Sequence, residues 1–182
     1  VDENCSEDEL KPQSPYAESK YKSELELEKY KDSLDYIILR FGTIFGFSEG
    51  MRFHTAVNKF CWQAVMKQPL TVWKTAYNQK RPYLDLKDAV NSITFLIKNN
   101  IFDKEVYNVL TENLTVSDIV SVIKENVNNL DINFVETKIM NQLSYDVSNK
   151  KFQNLGFEFK GNQNNSIRQT IELLQSSNNF KG

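Results

Sequence analysis

Tyr16 and Lys20 stand four residues apart in the stretch Tyr-Ala-Glu-Ser-Lys, directly after Ser14-Pro15 and ahead of a charged run. On a helix that spacing puts the two side chains one turn apart, with Cβ atoms roughly 5–6 Å from each other. A phenol with its ordinary pKa of about 10 is a poor base. An ammonium beside it favours the phenolate, so the pair contains the parts of a proton-transfer device for a hydroxyl or a carbonyl. Lys20 keeps a spare donor for a cofactor ribose. By itself the spacing also fits a surface tyrosine lying along a lysine stem.

The elements that must position this pair can be read from pattern. Val1 to Pro15 is polar, acidic and proline-punctuated, and reads as a loop. Ser14-Pro15 is a helix start signal for Tyr16 to about Lys31. Leu34 to Phe41 is a continuous apolar run of strand length, the pattern of a strand buried on both faces of a parallel sheet. Gly42 to Gly46 and Ser48 to Gly50 read as a loop at its C-terminal end, where ligands bind in open α/β sheets. Arg52 to Lys67 is apolar at helical spacing. Pro69 to Trp73 reads as a short strand, and Arg81 to Leu86 as an extended piece that Pro82 confines to an edge or irregular position.

Leu86, Ala89, Val90, Ile93, Leu96 and Ile97 define a helix ending at Asn99-Asn100, and Glu105 to Leu110 a strand. Thr115 or Ser117 caps a helix with Val116, Ile119, Val120, Ile123 and Val127 inside. Asp131 to Glu136 reads as a strand. Asp146 to Phe159 is mixed, with Gly156 as a helix stop. Asn165 or Ser166 opens a last helix burying Ile167, Ile171 and Leu174, and the tail beyond Gln175 is expected to fray. Strands and helices alternate without a repeat, so the class is α/β.

At 182 residues the chain fits one domain with a real core. A net charge of −2 offers no basic footprint, which argues against nucleic acid or an anionic membrane as partner. No apolar run approaches the ~20 residues of a bilayer span, and no signal-peptide pattern is present. A start at Val1 implies processing or truncation. Cys5 and Cys61 suggest neither a disulfide framework nor a zinc site, and a reducing cytoplasm fits best. The single histidine, His54, excludes a multi-histidine metal centre, and no metal is expected.

Pro12 to Lys20, Leu39-Arg-Phe-Gly-Thr-Ile-Phe-Gly46, Met51 to Phe60 running on to Pro69-Leu-Thr-Val-Trp73, and Arg81-Pro-Tyr-Leu-Asp-Leu-Lys-Asp-Ala89 follow one another in a distinctive order. Tyr107-Asn-Val and Leu155-Gly-Phe157 continue it. The series resembles the C-terminal part of extended short-chain dehydrogenases/reductases, the NAD-dependent nucleotide-sugar epimerases and dehydratases. The resemblance implies an α/β fold made of the C-terminal part of a Rossmann-like parallel sheet plus a smaller α/β substrate-binding region. Residues 1–50 would carry the catalytic helix and a strand of a truncated Rossmann domain. Residues 51–182 would mainly bind the nucleotide sugar and return elements to the sheet. The family's glycine-rich phosphate loop and active-site Ser/Thr have no counterpart among the six glycines and the residues upstream of Tyr16. The chain therefore reads as the C-terminal portion of an enzyme, inactive alone.

By that resemblance Tyr16 is the general acid/base working on the sugar hydroxyl while hydride passes to or from the nicotinamide, and Lys20 binds the nicotinamide ribose. Arg81 would contact the nucleotide diphosphate, the alternative being a surface salt bridge with Asp85 or Asp88. Asn58 would hydrogen-bond the same diphosphate, the alternative being a polar residue on the exposed side of its helix. Arg52 is a further basic candidate. Trp73 would stack on the base or belong to the core, Arg40 is structural, and Asp88 caps or orients the Leu86 helix. Thr43 stands where many sugar epimerases carry asparagine.

The cofactor implied is NAD rather than NADP, the partner a nucleotide sugar, and the assembly a homodimer packed through the catalytic helix. An NADP-dependent carbonyl reductase of the same superfamily and a non-catalytic nucleotide-binding regulator are the competing readings.

Overall fold

A computed structural model of the protein describes residues 1–5, 12, 14–136 and 144–179. Its first helix, α1 (Pro15–Glu28), starts where the sequence signals it: the Ser14 Oγ accepts from Ala17 N at 3.1 Å and Pro15 occupies the first turn. The helix buries no residue. One tie holding it to the sheet is the Arg40 guanidinium, which donates to the Glu24 carboxylate at 2.6–3.2 Å. That carboxylate also raises the Arg40 pKa above its ordinary value.

Strand β1 (Ile38–Phe41) is shorter than the apolar run suggested. Leu34 is exposed, and pairing begins only where Ile38 N donates to Glu105 O at 3.0 Å. Its strand neighbour among the described residues is the parallel β5 (Val106–Val109), so β1 is half-buried rather than covered on both sides. The expected loop after it is in fact a second strand, β2 (Thr43–Phe45), parallel to β4 (Arg81–Asp85). The chain passes from one sheet to the next at Gly42, where a Cβ would meet the Pro82 carbonyl at 3.1 Å. A side chain there would push the Pro82 backbone away by a few tenths of an ångström, so glycine suits the close approach.

Strand β4 is central, not an edge: the antiparallel β6 (Glu112–Leu114), which no local pattern indicated, flanks it opposite β2. Pro82 is tolerated because the register with β2 begins one residue later, at Tyr83. Helix α2 (Ala56–Val65) leads into β3 (Leu70–Trp73), which pairs in parallel with β7 (Ile132–Val135).

Helix α3 (Leu86–Lys98) follows β4 without a loop, capped by Asp85 accepting from Lys87 N at 2.8 Å. Helix α4 (Val116–Asn126) opens with a complete capping box between Thr115 and Asp118. A short α5 (Lys150–Gln153) precedes α6 (Gln163–Asn179), which begins two to three residues before the expected Asn165 or Ser166 and continues past Gln175.

Two apolar cores result. One gathers Phe45, Phe60, Cys61, Val72, Tyr83, Ile119 and Ile167 between α2, α4, α6 and the strands they cover. The other gathers Leu84, Leu96, Tyr107, Val109, Phe152 and Phe157 beneath α3. Adjacent residues of β4 feed both, Tyr83 the first and Leu84 the second, because successive side chains alternate across a strand.

Burial pushes the Cys61 thiol up from 9.0 to about 12. Cys61 is therefore expected to resist a thiol reagent at pH 8 until the chain unfolds, while the partly exposed Cys5 labels at once. Unfolding lets Cys61 ionise at its ordinary value, so its contribution is full below pH 9 and declines as pH rises toward 12. Thiol counting against denaturant concentration measures it.

Candidate active site

Lys20 Nζ lies 5.8 Å from the centroid of the Tyr16 ring, on the outer face of α1. Helical spacing brings the ammonium alongside the phenol ring. The Tyr16 side of the helix is open, however, and Tyr16 is 72% exposed. The groove beneath α1, of about 470 Å³, is lined by Tyr21, Glu24, Leu25, Tyr36 and Arg40 rather than by the motif pair.

The other candidates lie along β2, α2, β3 and β4. Thr43 is exposed at the start of β2, in register with Tyr83. Asn58 is not on an exposed helix side: it is 5% exposed, its Oδ1 accepts from Gly46 N at 3.2 Å and its Nδ2 donates to Arg52 O at 3.2 Å. Its amide thus pins the β2–α2 loop, and Arg52 sits exposed on that loop. Trp73, at the end of β3, is 47% exposed and so is not core.

Arg81, at the start of β4, donates from Nη1 to Lys80 O at 3.1 Å and from Nη2 to Gln79 Oε1 at 3.3 Å. Its guanidinium carbon stands 4.9 Å from the centroid of the Tyr145 ring. Asp85 and Asp88, the two acids weighed as its surface partners, are both buried.

Asp85, rather than Asp88, caps α3, and it also accepts from the Ser166 hydroxyl. Asp88 accepts from Thr111 Oγ1 at 2.7 Å, Lys160 N at 3.0 Å and Gly161 N at 2.9 Å. The Thr111 hydroxyl in turn accepts from Asp85 N at 2.9 Å. Gly161 is compulsory here, since a Cβ would come within 2.6 Å of the Asp88 carboxylate. Tyr145, Thr111 and Gly161 carry no motif of their own. Each meets its partner across at least 23 residues of chain, so only folding reveals them.

Comparison with known proteins adds a second kind of observation. The profile of the NAD dependent epimerase/dehydratase family matches residues 1–109, well over half of the chain. The chain belongs to that family.

Over 68 residues, 36% of this chain and 14% of the other, it is 40% identical to the chloroplastic UDP-sulfoquinovose synthase of Spinacia oleracea. Its fold superposes on the UDP-glucose 4-epimerase of Thermus thermophilus, solved with NAD, at a TM-score of 0.80 and 22% identity, covering 95% of this chain and 58% of that one. A UDP-glucuronic acid 4-epimerase of Bacillus cereus, solved with UDP-glucuronic acid and NAD, gives a TM-score of 0.81 at 21% identity, covering 95% and 56%. At these identities the likeness is one of fold: α/β with parallel strand pairs. The chain spans less than three-fifths of the length of these two structures.

Among the described residues no cluster of three or more His, Cys, Asp or Glu could hold a metal ion, and no helix is long and apolar enough to cross a membrane.

Proposed function

We propose that the chain is the C-terminal portion of an enzyme that epimerises or dehydrates a nucleotide-activated sugar, with NAD reduced and reoxidised within one cycle. The observation that carries this reading is the Tyr16–Lys20 pair, held together on α1 within the stretch matched by the family profile. Tyr16 exchanges a proton with the sugar hydroxyl through its Oη. Lys20, with three N–H donors on a flexible stem, fits a cofactor ribose beside the phenol. NAD, when bound, supplies the acceptor and donor of hydride. Arg81 and Arg52 attract the substrate diphosphate, and the exposed face of Trp73 stacks on the base. The protein acts in solution in the cytoplasm as a homodimer packed through α1.

Proton transfer needs a site closed to water, and Tyr16 is open here. Two surfaces support a covering portion of the same enzyme, which would also supply the phosphate loop. Among the described residues β1 pairs with β5 alone, and a two-stranded parallel sheet does not stand by itself. On α3, Val90, Ile93 and Ile97 are 56%, 44% and 63% exposed. At 100° per residue they form the flank opposite Phe95. Phe95 packs on Phe152, which in turn packs on Tyr107 of β5. The open apolar flank therefore lies on the side of α3 away from α5. A further portion of the enzyme would cover that flank and pair the open edge of β1.

The test is mass spectrometry of the intact protein purified without added cofactor, followed by assay on a panel of UDP- and dTDP-sugars. Retained NAD and conversion without a net change in nicotinamide absorbance are expected. Stoichiometric consumption of NADPH would replace this reading by a carbonyl reductase, and retention of neither nucleotide would favour a regulator.

A further inference from the structure

The contact between Arg81 and Tyr145 joins residues 64 positions apart and belongs to no motif in the sequence. It is held from both sides. Ser144 Oγ accepts from Lys80 N at 3.1 Å, and Tyr145 N donates to Lys80 O at 3.5 Å. That same carbonyl accepts from Arg81 Nη1 at 3.1 Å, so one oxygen fastens both the guanidinium and the backbone of the residue beneath it. Downstream, Val147 and Asn113 exchange two hydrogen bonds at 3.0 and 2.9 Å, and Asn149 Nδ2 donates to Leu110 O at 2.7 Å. Residues 144–149 thus form a strap across the entrance of β4 and the β5–β6 turn, with the Tyr145 ring delivered to Arg81. The Lys80 ammonium is drawn to the strap as well, 3.2 Å from the Asp146 carboxylate.

We infer that Tyr145 is a positioning residue that fixes the plane of the Arg81 guanidinium for the diphosphate of the nucleotide substrate. The inference rests on the reading of Arg81 as the diphosphate contact. A guanidinium binds a diphosphate through a planar fork, so its usefulness depends on how that plane is set. A ring about 5 Å away sets it through cation–π attraction and stacking, without competing for the fork as a carboxylate does.

The experiment uses the intact protein, with UDP as the binding probe by calorimetry and the UDP-sugar that it turns over for kinetics. Tyr145→Ala is expected to weaken UDP and raise KM roughly 3- to 30-fold, the range of a cation–π contact, with kcat unchanged. Tyr145→Phe keeps the ring and is expected to match the wild type. In an Arg81→Ala background Tyr145→Ala is expected to add nothing. Equal losses from Tyr145→Phe and Tyr145→Ala, or losses that add fully to those of Arg81→Ala, overturn the inference. If Arg81→Ala weakens UDP and Tyr145→Ala does not, the inference alone fails. If Arg81→Ala leaves UDP affinity unchanged, the diphosphate reading fails beneath it.

Discussion

If the proposed role holds, replacing Tyr16 by Phe in the intact protein is expected to lower kcat by about 10²- to 10⁴-fold, the usual worth of a positioned acid/base, with nucleotide affinity little changed. The substitution removes one oxygen and leaves the ring, so the seat of the Lys20 ammonium 5.8 Å from its centroid survives. Tyr16 is also largely exposed and caps nothing, so the loss cannot be laid to folding. Lys20→Met provides the contrast. It removes the cation and with it the proposed ribose donor, and is expected to lower cofactor retention as well as rate. The two variants therefore separate proton transfer from cofactor binding, read as kcat in one and as bound NAD in the other. Turnover by Tyr16→Phe at the wild-type rate would end the catalytic assignment.

The second large effect is on stability. Asp88 is 1% exposed and accepts three hydrogen bonds, from a hydroxyl and two backbone amides. Asp88→Ala leaves all three part-buried donors without their acceptor, and a donor left unpaired away from water costs about 1–3 kcal/mol. A total loss of about 3–4 kcal/mol is expected, allowing for relaxation, which for a chain of this size is a melting temperature lower by roughly 6–15 °C.

Asp88→Asn is expected to restore only part of this. An amide presents an NH₂ group to at least one of the N–H donors it must satisfy. The loss has a structural reach, because the carboxylate ties the start of α3 and the β5–β6 turn to the segment that leads into α6. Gly161→Ala attacks the same joint from the other side, driving a methyl to 2.6 Å from the carboxylate oxygen. Thermal unfolding followed by circular dichroism measures all three. Unfolding of Asp88→Ala within about 2 °C of the wild type (an effect below about 1 kcal/mol) would mean that the network contributes little.

The starts of α1 and α4 were legible because their signals are local, whereas α2 begins at Ala56, four residues after the Arg52 at which its apolar period was read to start. Ser14-Pro15 and the Thr115–Asp118 box act within one turn of backbone. The amphipathic period of α3, the strand type of β3, β5 and β7, and the order of motifs that marks the family were equally present in the chain as written. So was the meeting of Tyr16 with Lys20, because a helix of any environment puts residues four apart together.

What only tertiary structure decided are the contacts between distant segments. Gly42 to Gly46 looked like a loop because glycines flank it, yet Thr43 to Phe45 form a strand once Tyr83 to Asp85 lie alongside. Pro82 argued for an edge, and the late start of the β2 register lets β4 run through the centre of its sheet. Asn58 is buried on the Gly46 loop, and Arg81 rests on Tyr145 instead of on Asp85 or Asp88. In each case the partner is set by how sheets and helices stack, a long-range choice that no window of local sequence encodes.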